Sequence, residues 1–220
     1  MDKGDFVNVN SMKTTSSMPD TYDSGHEPFV LNSSSQNHYK RVVLVNGIPA
    51  SGKSRITEQL SNLTGWLQLS LDGIKNPFLQ RIPNVTREFN RVLGQASYQT
   101  MWSIVEGAPA QSTFILDAWF GFQPREVLQQ YLFSSGVTHL VEVWCEIPGE
   151  LAAARYESRL SQRLPGHPGE EYIPELIALA SRAVPMQISP VYKVDQTQHH
   201  EIEPLYQWVL DSWSLPDMKK

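Results

Sequence analysis

Cysteine is nearly absent: Cys145 is the only one in 220 residues. A lone cysteine excludes an intrachain disulfide and lacks the companions of a structural zinc site. Charge is sparse too, with 19% charged residues, a net charge of −5 and no long basic run. A dedicated nucleic-acid binder needs clustered Lys and Arg to neutralise phosphates, so no nucleic-acid partner is expected. No apolar stretch approaches the roughly 20 residues of a membrane span. The N-terminus has no compact apolar core of the secretory kind. No internal repeat is present. The expectation is a cytoplasmic protein with no membrane partner.

What is present suits a single α/β domain, with 40% hydrophobic residues in a chain long enough for a real core. Residues 1–39 differ from the rest, being rich in Ser, Thr, Asn and Asp with one short apolar cluster, Phe29-Val30-Leu31. They are expected to form a flexible N-terminal extension ahead of a domain spanning 40–220. Val42-Val43-Leu44-Val45 reads as a strand buried on both faces. A helix follows, with Ile56, Leu60 and Leu63 at helical spacing. Further strands are expected at 66–71, 113–116, 139–145 and 191–194. A long helix is expected over about 85–105, with Phe89, Leu93, Ala96 and Trp102 inward. Others follow over 125–133, from Pro148 toward Arg163, over 174–183, and from Pro204 with Leu205, Trp208 and Val209. Strands alternating with helices imply a mostly parallel sheet covered on both faces. In such sheets ligands collect at the carboxyl ends of the strands, where Gly47, Asp72 and Asp117 all fall in this reading.

Gly47-Ile48-Pro49-Ala50-Ser51-Gly52-Lys53-Ser54 matches the phosphate-loop pattern G-x-x-x-x-G-K-[ST] throughout. The glycines let the backbone curl and aim its N–H groups at phosphate oxygens. The helix that starts there turns its positive end to the same anion. Lys53 reaches the β- and γ-phosphates of ATP, and the Ser54 hydroxyl can ligate magnesium, a hard cation that prefers oxygen. An accidental match in a chain of this length arises roughly once in a hundred. The placement between a buried strand and an amphipathic helix lowers that further.

Two carboxylates accompany the loop. Asp72 ends the second expected strand, where it can orient an acceptor hydroxyl and take its proton. The alternative is a cap for a short helix starting at Gly73, and spacing alone leaves both open. Asp117 ends a Phe-Ile-Leu run and resembles a Walker B acid that holds magnesium through water; bonding to loop amides is its alternative. Trp119, Phe120 and Phe122 suit an aromatic pocket wall or ordinary core packing. Arg155, Arg159 and Arg163 recur every four residues, on one face of the expected helix, and lead into the Pro- and Gly-rich run 164–169. Arg159 and Arg163 read as lid residues that close over the phosphates, the lid covering about 159–173. Arg155 reads as a surface residue paired with Glu157 or Glu150. His167 lies in the lid with no required role.

From about Arg41 onward the chain resembles chloramphenicol phosphotransferase-like P-loop kinases, within the wider zeta-toxin and small-molecule kinase group. The matching segments are Val-Asn-Gly-Ile-Pro-Ala-Ser-Gly-Lys-Ser at 45–54, Leu-Asp-Gly-Ile at 71–74 and Phe-Ile-Leu-Asp at 114–117. Val-Glu-Val-Trp-Cys-Glu at 141–146, the arginine-bearing segment and Tyr-Lys-Val-Asp-Gln-Thr at 192–197 continue the match. The resemblance implies a three-layer P-loop NTPase fold with a five-stranded parallel sheet and a small lid. It implies an ATP- and magnesium-dependent kinase acting on a small-molecule hydroxyl, working as a monomer or homodimer. It maps the acceptor-orienting acid onto Asp72, lid arginines onto Arg159 and Arg163, and adenine near 195–197. One departure limits it: the antibiotic-modifying relatives carry two acids in succession where this chain has Asp117-Ala118. The segments 75–91 and 119–123 also diverge, so chloramphenicol itself does not follow. A nucleotide-sugar kinase of the zeta-toxin kind and a non-catalytic nucleotide switch are the alternatives.

Overall fold

A computed structural model describes residues 39–214 of the chain. The expected N-terminal extension, Tyr39 apart, lies outside the described residues. The strands are β1 (Lys40–Asn46), β2 (Leu67–Ser70), β3 (Thr113–Ala118), β4 (Val137–Glu146) and β5 (Val191–Asp195). The helices are α1 (Lys53–Thr64), α2 (Leu71–Leu79), α3 (Arg87–Gly107), α4 (Arg125–Ser134), α5 (Gly149–Glu157), α6 (Ile173–Ala180) and α7 (Ile202–Ser214). The strands form one sheet in the order β2-β3-β1-β4-β5, and every neighbouring pair is parallel.

Strand alternation builds the layers. Val42 and Leu44 of β1 join Tyr98, Met101, Trp102 and Val105 of α3 and Leu128 of α4 in one core. Val43 and Val45 join Ile56 and Leu60 of α1 and Leu205 and Val209 of α7 in the other. All four β1 residues have no exposed surface. That explains the unbroken aliphatic run: both sides of this central strand are covered by helices, giving the expected three-layer α/β fold. None of the described helices is long and apolar enough to cross a membrane.

Several local expectations need correction. Leu63 is 44% exposed, and Thr57 takes the buried place on α1, its hydroxyl bonded to the Lys53 carbonyl. Phe89 and Ala96 face outward on α3, and Leu93 is half-buried. The buried positions there are Asn90, Ser97, Tyr98, Met101, Trp102 and Val105. The second strand stops at Ser70 and the chain turns directly into α2. Ser70 caps that helix, its Oγ accepting from the Gly73 amide, so Asp72 stands in the first helical turn and is not the cap.

The helix after Pro148 does not reach Arg163. It ends at Glu157, and residues 160–162 form a separate short turn. The cause is local competition for one carbonyl. In a continued helix the Arg155 oxygen would accept from the Arg159 amide. Instead it accepts from Ser158 Oγ at 3.1 Å and from Arg159 Nε at 2.9 Å, while the Arg159 amide bonds Tyr156. The three arginines therefore do not share one helix face.

Candidate active site

The register brings the strand ends together. Val45 pairs with Asp117, Ser70 pairs with Asp117, and Asn46 pairs with Trp144. The 47–54 segment leaves β1 at this edge and turns into α1. Gly47 lies so close to β4 that a Cβ there would be 3.0 Å from the Cys145 carbonyl oxygen. Gly52 takes φ 84°, a left-handed conformation, directly before the helix. Ala50 also has positive φ, 65°, and a strained non-glycine residue in a loop of this kind is a mark of a working site. Lys53 Nζ donates to the Gly47 and Ile48 carbonyls, each at 2.9 Å, which sets its ammonium in the curl of the loop.

The two residues expected to serve magnesium meet directly: Ser54 Oγ donates to Asp117 Oδ2 at 2.7 Å. Asp117 is 4% exposed. Burial raises its pKa above the ordinary carboxylate value; Lys53 and the Ser54 bond oppose that rise. A hydroxyl and a carboxylate are the hard oxygen donors magnesium takes. Among the described residues no cluster of three or more His, Cys, Asp or Glu could cage a metal. A magnesium ion that keeps waters and phosphate oxygens in its shell needs no such cage, so the donor set fits.

Asp72 lies close enough to the loop that Lys53 helps to lower its pKa and that its own charge helps to raise the pKa of Asp117. Its oxygen is 3.1 Å from Lys75 Nζ, one helical turn on. The ammonium is buried and the carboxylate side chain is 64% exposed, so the acid faces outward over a fixed cation. Partial burial pushes the Asp72 pKa up. Lys75, followed by His167 and Lys53, more than offsets this, and the net shift is downward. The i, i+3 spacing of Asp72 and Lys75 is the signal that identifies this pair in the sequence. His167 of the 164–169 loop completes the cluster. Burial, Lys75 and Arg163 lower its pKa to about 4, against a pull upward from Asp72, so its imidazole is neutral near pH 7.

The loop that carries His167 is tied down on both sides. Asn90 Nδ2 donates to the Gly166 carbonyl at 2.8 Å, and Tyr156 Oη to the Pro168 carbonyl at 2.8 Å. Arg163 lies over the Tyr156 ring, 3.7 Å from its centroid. Arg159 is exposed and bonds back to Arg155. Arg155, expected at the surface, is the arginine beside the phosphate loop. Its Nη2 donates to the Gln196 carbonyl at 2.9 Å, and its Nη1 is 3.6 Å from where a Gly52 Cβ would stand. Trp119 and Phe120 turn inward, Trp119 tilted against Trp144 and Phe120 fully buried beside Tyr98. Phe122 is 47% exposed.

No protein-family model matches the chain, and no curated protein matches it. Solved structures do. A protein provisionally named as a kinase, from Chloroflexus aurantiacus j-10-fl, matches with a TM-score of 0.67 and 22% identity. The match covers 79% of this chain and 98% of that one. The deoxyadenosine kinase of M. mycoides, solved with bound dATP, matches with a TM-score of 0.51 and 14% identity, over 77% of this chain and 99% of that one. At these identities the likeness is one of fold: the chain shares the α/β architecture of these two structures.

Proposed function

We propose that this chain is a magnesium-dependent phosphotransferase that moves the γ-phosphoryl group of ATP to a hydroxyl of a small molecule, as the chloramphenicol phosphotransferase-like kinases do. One observation carries the reading: Ser54 bonds Asp117 at 2.7 Å beside Lys53, with Asp72 on the same edge of the sheet. A loop that only holds a nucleotide has no need of a second, outward-facing carboxylate there.

In this reading the 47–54 amides and Lys53 hold the phosphates. Ser54 and Asp117 would hold magnesium, which would supply charge neutralisation to the transferring phosphate. Asp72 accepts a hydrogen bond from the acceptor hydroxyl and aims its oxygen at the γ-phosphorus. The new O–P bond forms, the bond from phosphorus to the β,γ-bridging oxygen breaks, and ADP leaves. The lowered pKa makes Asp72 a weak base, so it acts mainly by orientation; the hydroxyl proton passes late to its carboxylate and from there to water. Arg155 and residues 195–197 flank the nucleotide. Residues 159–173 form the lid, through which Arg159 and Arg163 approach the phosphates on closure.

The test is transfer from γ-labelled ATP with magnesium to a panel of sugars, amino alcohols, antibiotics and nucleotide sugars. Wild type is expected to label one class, and Asp72→Asn to lose about a hundredfold or more in rate with nucleotide binding kept. Unchanged transfer by Asp72→Asn removes its role. ATP binding without transfer to any acceptor points instead to a nucleotide switch.

A further inference from the structure

Below the phosphate loop lies a carboxylate that packing does not explain. Glu142 of β4 has no exposed surface, and no ion pair forms at it among the described residues. Its neighbours along the strand, Val141 and Val143, are aliphatic, and an aliphatic residue would avoid the cost of burying a charge. Its oxygens are held by neutral donors alone. Oε1 accepts from Asn46 Nδ2 at 2.7 Å and from the Met186 amide at 2.8 Å, and Oε2 from the Gln187 amide at 3.0 Å.

Asn46 passes this on. It is the last residue of β1, fully buried, and its Oδ1 accepts from two backbone amides: Gly47 at 2.8 Å and Phe120 at 3.0 Å. The β1–β3 pairing ends at Asn46 and Ala118. Beyond that pair the two chains diverge, one into the phosphate loop and one into 119–122. The Asn46 side chain supplies one further rung across the gap. Both Glu142 oxygens accept here, so Glu142 holds Asn46 with its NH₂ downward and its carbonyl oxygen toward both amides. A flipped Asn46 would set donor against donor at Gly47 and Phe120.

We propose that Glu142 is a positioning residue. Acting through Asn46, it fixes the entry to the phosphate loop against the 119–122 segment, so the nucleotide side and the acceptor side of the site keep one spacing. The assignment of sides rests on the phosphotransferase reading; the coupling of Gly47 to Phe120 does not.

A swap tests it. Asn46→Asp places two carboxylates where the wild type has a bond of 2.7 Å, so they must share a proton. ATP affinity and turnover are expected to fall with rising pH more steeply than in wild type, as the shared proton is lost. Glu142→Gln faces an amide NH₂ toward backbone donors and should lower kcat and raise the acceptor KM, by up to about a hundredfold for a displacement of about 1 Å. Asn46→Asp/Glu142→Gln restores the donor–acceptor pair between these two side chains, with its NH₂ now facing the Met186 amide, and should recover affinity in part and abolish the added pH dependence. Val209→Ala, a buried change on α7, is the control: it should lower the melting temperature without moving ATP affinity or the acceptor KM. A wild-type pH profile in Asn46→Asp overturns the proposal. So does a double variant that folds and keeps the pH dependence of Asn46→Asp. ATP titration with a fluorescent analogue reads the affinity, its pH dependence and its recovery without transfer, so failure to find an acceptor tells against the phosphotransferase reading and leaves this part of the positioning test intact.

Discussion

Gly52→Ala separates backbone strain from side-chain crowding in the phosphate loop. At φ 84° and ψ 10° a residue with a Cβ incurs about 1–2 kcal/mol. Loss of glycine's freedom in the unfolded chain returns about 0.4–1 kcal/mol. The new Cβ would also stand 2.3 Å from Gln196 Oε1, too close for any real contact. That oxygen is the end of a flexible side chain. Residue 196 is held through its backbone, its amide bonded to the Glu146 carbonyl and its carbonyl to Arg155, each at 2.9 Å. Gln196 Nε2 has no partner to lose. The side chain therefore swings away at little cost and strain dominates, leaving a net loss of about 1 kcal/mol and a fall in melting temperature of about 2–4 °C for a chain of this size. Calorimetry of Gly52→Ala, Gln196→Ala and the double variant checks it. The two changes should add within about 0.5 kcal/mol, and nucleotide affinity should fall in both variants that carry Gly52→Ala. A double variant clearly more stable than Gly52→Ala alone would show that crowding by Gln196 was the main cost. Wild-type stability in the single variant would refute the assigned backbone conformation.

Three further outcomes follow from the charges. Lys75→Met removes the strongest influence holding the Asp72 pKa down, so the acid limb of kcat/KM should move to higher pH; an unmoved limb means the pair does not interact in solution. His167 should titrate near pH 4 by NMR in the folded protein and near its ordinary value when unfolded. Because the fold resists its protonation, stability should fall as pH drops from about 6.5 toward about 4, and His167→Gln should flatten that slope; a folded pKa near 6.5 contradicts the packing of the loop. Ser54→Ala should erase most of the magnesium-dependent part of ATP affinity while leaving magnesium-free affinity near wild type, as judged by titration with and without the metal.

The turn at 47–54 was legible because its glycines define a backbone shape. The sheet was legible because β1 is aliphatic on both faces, a pattern few other elements share. Helix α2 was harder to read, since it contains Gly73 and Pro77, both poor helix formers, and depends on the Ser70 cap. The end of α5 was hidden for a different reason. Arginines continue at helical spacing through 163, and nothing in the sequence before Pro165 signals a stop. Two side-chain donors competing for the Arg155 carbonyl end it. Glu142 was hidden because a charge between two valines reads as the outward face of a strand, and its partner Asn46 lies 96 positions away. Lys75 carried the right spacing but stood among other basic residues of equal standing.

Lys53 gives the site a selectivity that its charge alone does not describe. Two of the three ammonium donors are already bonded to carbonyls of its own loop. An incoming anion can take the third donor, but to engage the ammonium fully it must displace the two carbonyls. Sulfate or inorganic phosphate offers one small cluster of oxygens for that exchange. A triphosphate offers successive oxygens that engage the loop amides and the lysine together. On the phosphotransferase reading, the length of the polyphosphate chain, more than its charge, then sets which ligands release Lys53 from the loop.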